Sequence, residues 1–158
     1  MLRFDRLLVP VDFSKYSMAA LEYALALAKK LNGPQTLVVL HVAEGLPHFL
    51  ESSSKGTQPG KEHEKEMKRV AKEEIKRFIK KVDAGEEKID FAVIVGKPAA
   101  EKIAQYADDK GFDAIVIGSQ GKGALERLVL GSCMLQVQRL ANCPVLAVKH
   151  PSEWVSKD

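Results

Sequence analysis

Apolar residues along this chain alternate between two rhythms. Short apolar runs, rich in β-branched residues and leucine, recur five times, at Leu7–Val11, Thr36–Val42, Ile89–Val95, Ala114–Ile117 and Pro144–Val148. Such short runs predict strands, and the Thr36–Val42 run predicts one covered on both faces. Between the runs, apolar positions fall three and four apart. Met18, Leu21, Ala24, Leu25, Ala28 and Leu31 predict a first helix, capped by Ser14 or Ser17 and stopped by a left-handed turn at Asn32-Gly33-Pro34. Met67, Val70, Ala71, Ile75, Phe78, Ile79 and Val82 predict a second over 61–82. Its solvated face pairs Glu64 with Lys68 and Glu73 with Arg77. A third begins with Pro98 at its first position, turns Ile103, Ala104 and Ala107 inward, and ends at Gly111. A fourth runs from Ser132 to about Ala141. The alternation predicts the α/β class, as a single open five-stranded parallel sheet with helices on both faces.

Composition narrows the function classes. At 158 residues, one domain over 1–150 is expected, followed by a polar C-terminal tail, 151–158, whose only anchor is Trp154. The stretch Ala43–Gly60 is rich in Gly, Pro and Ser and reads as a long loop. No apolar run approaches the roughly 20 residues of a membrane span, and no leader-like segment precedes the first strand, so the expectation is a cytoplasmic protein with no membrane partner. A net charge of +3, with acids and bases interspersed, gives no footprint for nucleic acid. Cys133 and Cys143 form neither a disulfide framework nor a zinc pattern.

The chemistry gathers at strand ends. Gly118-x2-Gly121-x9-Gly131-Ser132 begins where the fourth apolar run stops and ends where the fourth helix starts. A helix N-terminus offers unpaired N–H groups and partial positive charge to a phosphate, and glycines let the backbone approach it or take positive φ. Gly121, Gly131, Ser132 and the Cys133 amide are therefore candidates to cradle phosphates. Ligands of open α/β sheets sit beyond the carboxyl ends of the strands, where Pro10-Val11-Asp12 and His41-Val42 also fall. There Asp12 either binds ribose hydroxyls, holds a divalent cation against phosphates, or merely caps the first helix. Val42 can offer backbone groups to an adenine edge, with Val11 and Ile117 as apolar walls. His41 reads as a packed or solvated histidine, and Lys122 and Arg127 as loop charges that can add to the site. Cys133 reads as a small core residue, or as a thiol activated by the helix start. Neither a P-loop, a dinucleotide fingerprint, a nucleophile elbow nor a metal-spaced histidine pair is present.

With these residues in place, the chain resembles the universal stress protein family, specifically its ATP-binding branch. The likeness runs from Leu7-Leu8-Val9-Pro10-Val11-Asp12-Phe13-Ser14 through Leu40-His41-Val42 to the glycine motif and Asn142-Cys143-Pro144-Val145-Leu146-Ala147-Val148. The resemblance implies strand order 3-2-1-4-5, Rossmann-like, of the adenine nucleotide alpha hydrolase type. It implies a homodimer through the last strand, Val145 to Lys149, which would otherwise be an exposed apolar edge. It also implies ATP with Mg²⁺ or Mn²⁺, contacted by Pro10, Val11, Asp12, Val42, Ile117, Gly118, Gly121, Gly131, Ser132 and Cys133, with Asp12 and Ser132 as candidate metal ligands. The variable positions Gln120 and Lys122 receive no role. The leading expectation is a nucleotide-dependent stress-response dimer. A slow ATP hydrolase is the second reading, although only Glu126 offers a loop carboxylate and no catalytic residue is assigned. A nucleotide-free dimerising adaptor is the third.

Overall fold

Strands and helices follow one another in the predicted alternation: β1 (Arg6–Pro10), α1 (Lys15–Lys30), β2 (Thr36–Ala43), α2 (Lys61–Ile79), β3 (Ile89–Val95), α3 (Ala99–Lys110), β4 (Ala114–Gly118), α4 (Ser132–Leu140) and β5 (Val145–Val148). The structure is a computed structural model that describes residues 4–31, 36–45, 61–85, 87–121 and 132–151. All strands pair in parallel, in the order β3-β2-β1-β4-β5.

Strand alternation sends successive side chains to opposite faces of the sheet and so builds two cores. On one face Val9, Leu37, Val39 and Val116 meet Leu21, Ala24 and Leu25 of α1 and Ile75 and Phe78 of α2. On the other, Leu8, Leu40, Ile115 and Ile117 meet Ile103 and Ala107 of α3 and Met134 and Val137 of α4. Burial of each large aliphatic side chain contributes about 1.5–3 kcal/mol. This double cover explains why the β2 run has no polar alternation. Among the described residues, no helix is long and apolar enough to cross a membrane.

Several local expectations change. Leu31 and Val70, expected on apolar faces, are about half exposed at 47% and 50%. Leu31 lies beyond the last turn of α1 as its C-cap, with φ −93°. Glu64 pairs with Lys68 at 2.7 Å as expected, whereas Glu73 pairs with Lys76 at 3.3 Å, three residues on. Pro98 precedes α3 as its N-cap, with extended φ and ψ, instead of occupying the first helical turn. Gly111 ends α3 in the left-handed conformation, as its sequence position predicts. Asn32-Gly33-Pro34, most of the Ala43–Gly60 stretch, Trp154 and residues 152–158 lie outside the described residues.

Candidate functional site

The sheet comes apart where its order reverses. β1 pairs with β2 as far as Pro10 opposite Leu40, and β4 pairs with β5 as far as Gly118 opposite Val148. Between β1 and β4 the ladder holds only Leu7 opposite Ala114 and Leu8 opposite Ile115. Beyond that point the two central strands are no longer paired, and an open α/β sheet of this order has its ligand crevice at their carboxyl ends. The topology makes this gap, because crossover connections leave in opposite directions from the two neighbouring strands.

One lip of the crevice is the turn after β1. The Val11 amide donates to the Leu40 carbonyl at 2.8 Å, and His41 Nδ1 donates to the Val11 carbonyl at 2.9 Å. Both backbone groups of Val11 thus have protein partners. Phe13 then takes φ +65°, left-handed for a bulky residue, at a cost of about 1–2 kcal/mol. That turn lets Asp12 Oδ1 accept from the Ser14 amide at 3.0 Å. Ser14, not Asp12, caps α1, its hydroxyl oxygen accepting from the Ser17 amide at 3.2 Å. His41 is half-buried and packed, its ring centroid 4.4 Å from that of Phe13.

The other lip explains two of the glycines. A Cβ on Gly118 would lie 2.8 Å from the Tyr16 carbonyl carbon and 2.9 Å from its oxygen, so this glycine admits the first turn of α1 against β4. A Cβ on Gly121 would lie 3.0 Å from Asp12 Oδ2, which places the second motif glycine directly against the carboxylate. Neither residue has positive φ, so both act through close approach, and the turn-conformation argument does not apply to them. Gly131, Lys122, Glu126 and Arg127 lie outside the described residues.

Val42 and Ile117 share the core on the α3–α4 face, and Cys133 at the start of α4 packs against that core. Val11 belongs to the core beside α1, whereas Ile117 belongs to the core on the α3–α4 face. Backbone direction supports Val42. Residues of a strand send their polar groups alternately to either neighbour, and the Leu40 carbonyl faces β1 while that of Ala43 faces β3, accepting from Gly96. Val42 therefore turns its N–H and C=O toward β1, past the end of that strand. Pro10, the last residue of β1, has no N–H to offer. Ser132 is an exposed first residue of α4.

Three further groups have no clear signal in the sequence. Ser119 Oγ and Gln120 Oε1, just beyond β4, are buried and have no hydrogen-bond partner among the described residues. Glu44 Oε1 accepts from the Ala99 amide at 2.8 Å, capping α3 from the end of β2. Burial pushes the Cys133 thiol pKa up, and the nearby carboxylates of Glu44 and Asp12 add to that effect. The thiol is therefore held protonated, and the activated alternative for Cys133 is not supported. Among the described residues no group of three or more His, Cys, Asp or Glu gathers to hold a metal ion. A cation here would rest on Asp12 together with ligand oxygens and water, a donor set that suits Mg²⁺.

The model of the Universal stress protein family matches residues 3–149. Universal stress protein MJ0531 of Methanocaldococcus jannaschii is 32% identical over 154 residues, covering 95% of this chain and 85% of its own. Universal stress protein YxiE of Bacillus subtilis is 34% identical over 151 residues, covering 92% and 99%. The solved structure of MJ0577, also from Methanocaldococcus jannaschii, superposes with a TM-score of 0.74 at 30% identity, covering 92% of this chain and 96% of that one. With the parted sheet, the Asp12 turn and the glycine spacing all in place, the match is to the whole architecture: the chain belongs to the universal stress protein family.

Proposed function

We propose that this protein binds ATP with a divalent cation in the crevice between β1 and β4 and acts as a nucleotide-dependent stress-response dimer in the cytoplasm. The observation that carries the reading is the meeting of Asp12 and Gly121: the carboxylate oxygen lies 3.0 Å from where a Cβ would stand, at the point where the sheet parts. In this reading Asp12 holds ribose hydroxyls or the cation. Val42 offers its backbone to the base above Ile117. Gly121, Gly131, Ser132 and the Cys133 amide approach the phosphates, with Ser132 also available to the cation. Pro10, Val11 and Gly118 shape the opening, Gly118 by letting α1 close on β4. In this reading 1–150 is the nucleotide-binding domain and 151–158 a tail. Two proteins of the same fold are described in complex with cAMP and with dAMP, each at 22% identity, a level that supports kinship of fold alone. The edge strand β5, with Leu146 39% exposed, supports pairing between two copies through Val145 to Lys149.

Two measurements test the reading. Small molecules released by denaturing freshly purified protein are identified by mass spectrometry, and the protein is titrated calorimetrically with Mg-ATP, AMP and cAMP. The expected result is saturable Mg-ATP binding that Gly121→Val, folded by circular dichroism, weakens at least about tenfold, since the valine occupies the space of the Asp12 carboxylate. Absence of any bound adenylate, together with no saturation at millimolar Mg-ATP, would overturn it.

A further inference from the structure

The residue between Asp12 and Ser14 is an anomaly that the phosphate motif does not explain. Phe13 adopts φ +65°, a conformation that glycine or asparagine takes readily and a bulky residue does not. If a left-handed turn were all that the chain required here, a small residue would supply it without strain. The aromatic ring instead has a built seat. Its centroid lies 4.4 Å from the His41 ring and 5.6 Å from the Phe78 ring, the latter edge-on. Each flank is itself fixed: His41 Nδ1 donates to the Val11 carbonyl at 2.9 Å, and Phe78 is 3% exposed in the core beneath α2. The ring therefore ties the turn after β1 to β2 and to α2. Immediately before it, Asp12 places one carboxylate oxygen 3.0 Å from the Ser14 amide and the other against Gly121. Strained backbone persists where its surroundings hold it, and it concentrates at functional sites.

We propose that Phe13 is the positioning residue of the crevice: its ring, held between His41 and Phe78, pins the left-handed turn that aims the Asp12 carboxylate at the opening between β1 and β4. The inference rests on the nucleotide reading only for what the carboxylate is aimed at; the positioning itself is independent of any ligand. Phe13 touches no ligand in this account and acts through Asp12. Without the ring, the turn keeps its sequence but loses its registration on β2 and α2. The Asp12 side chain then samples orientations away from the Ser14 amide.

Phe13→Asn separates ring from backbone, because asparagine tolerates the left-handed conformation and brings no ring. In protein without nucleotide, the Ser14 amide is expected to exchange with solvent about tenfold faster than in wild type. The amides in the middle of α1 should remain unchanged, and Phe13→Tyr should restore wild-type exchange. Unchanged Ser14 exchange in folded Phe13→Asn overturns the proposal. If that variant does not fold, Phe13→Leu, which keeps apolar volume in the seat, is read by the same amide and the same criterion.

A binding cycle supplies the second arm. Phe13→Asn is expected to weaken Mg-ATP binding about tenfold in the wild-type background, and less than about twofold when Asp12→Asn is already present. Independent, additive losses would show that the ring does not act through the carboxylate. A wild-type protein that binds no Mg-ATP defeats the nucleotide reading alone, since the amide measurement still decides whether Phe13 positions Asp12.

Discussion

At residue scale, the same amino acid answers different physical demands at different positions, and substitution separates them. Gly118 and Gly111 are both replaceable by alanine on paper. At Gly118 the added Cβ meets backbone atoms of Tyr16 at 2.8 and 2.9 Å, so a helix must retreat from a strand. At Gly111 it meets nothing within 4 Å, and only φ +65° resists it. Urea unfolding should therefore show Gly118→Ala losing about 1–3 kcal/mol and Gly111→Ala about 1 kcal/mol, the first with disturbed α1 packing and the second without. Cys133 makes a prediction about pH. Its native thiol holds its proton more tightly than an unfolded one, mainly through burial and then through Glu44 and Asp12. Below the ordinary thiol range, near about 8.5, both states are protonated and nothing changes. Above it the unfolded state ionises first, so stability falls as pH rises until the native thiol ionises too. Cys133→Ala should shallow that alkaline decline, leaving the part due to Cys143, whose thiol burial also raises. Iodoacetamide at pH 8 should label Cys133 more slowly in native than in urea-unfolded protein.

At the scale of elements, legibility in the sequence tracks how local the cause is. The β3 limits at Ile89 and Val95 and the Ser14 cap of α1 rest on neighbouring residues, and both are readable from the chain. Asp12 and Val42 are readable as site candidates because each sits at the end of an apolar run. What is not readable depends on contacts distant in sequence. Val70 fits the helical stripe of α2, yet it stays half exposed. Glu73 has basic residues at both three and four positions on, and side-chain geometry selects Lys76. The motif shows Gly118 as a glycine without showing that Tyr16 requires it. Nor does it show the strained φ of Phe13, or the buried hydroxyl of Ser119, which has no partner among the described residues. The cap of α3 is supplied by Glu44, 55 residues earlier in the chain, because Pro98 at the N-cap has no side-chain acceptor. Glu44→Ala should cost about 0.5–1 kcal/mol by urea unfolding and fray the first turn of α3, visible as faster exchange of the Ala99 amide.

For the whole molecule, the strand order decides which surfaces are finished and which are open. β4 and, beyond Arg6, β1 lie inside the sheet and are buried, whereas β3 and β5 form its edges and are only partly covered. β5 leaves Leu146 and Ala147 exposed beside an unpaired edge. If two copies join there, analytical ultracentrifugation of the wild-type protein at micromolar concentration should give a dimer mass, and Leu146→Lys should shift it toward monomer without unfolding it. A wild-type monomer throughout would remove the proposed interface.

The parting of β1 from β4 also has a mechanical meaning. Past Ile115, β4 is a cantilever, clamped along one flank by β5 up to Val148 and untethered by β1 along the other. Its tip carries Gly118, and the Ser119 amide that follows is hooked to the Val148 carbonyl at 2.8 Å. The tip is thus held between the first turn of α1 and the outermost strand of the sheet, so whatever stiffens β5 from outside also stiffens one jaw of the opening that faces Asp12.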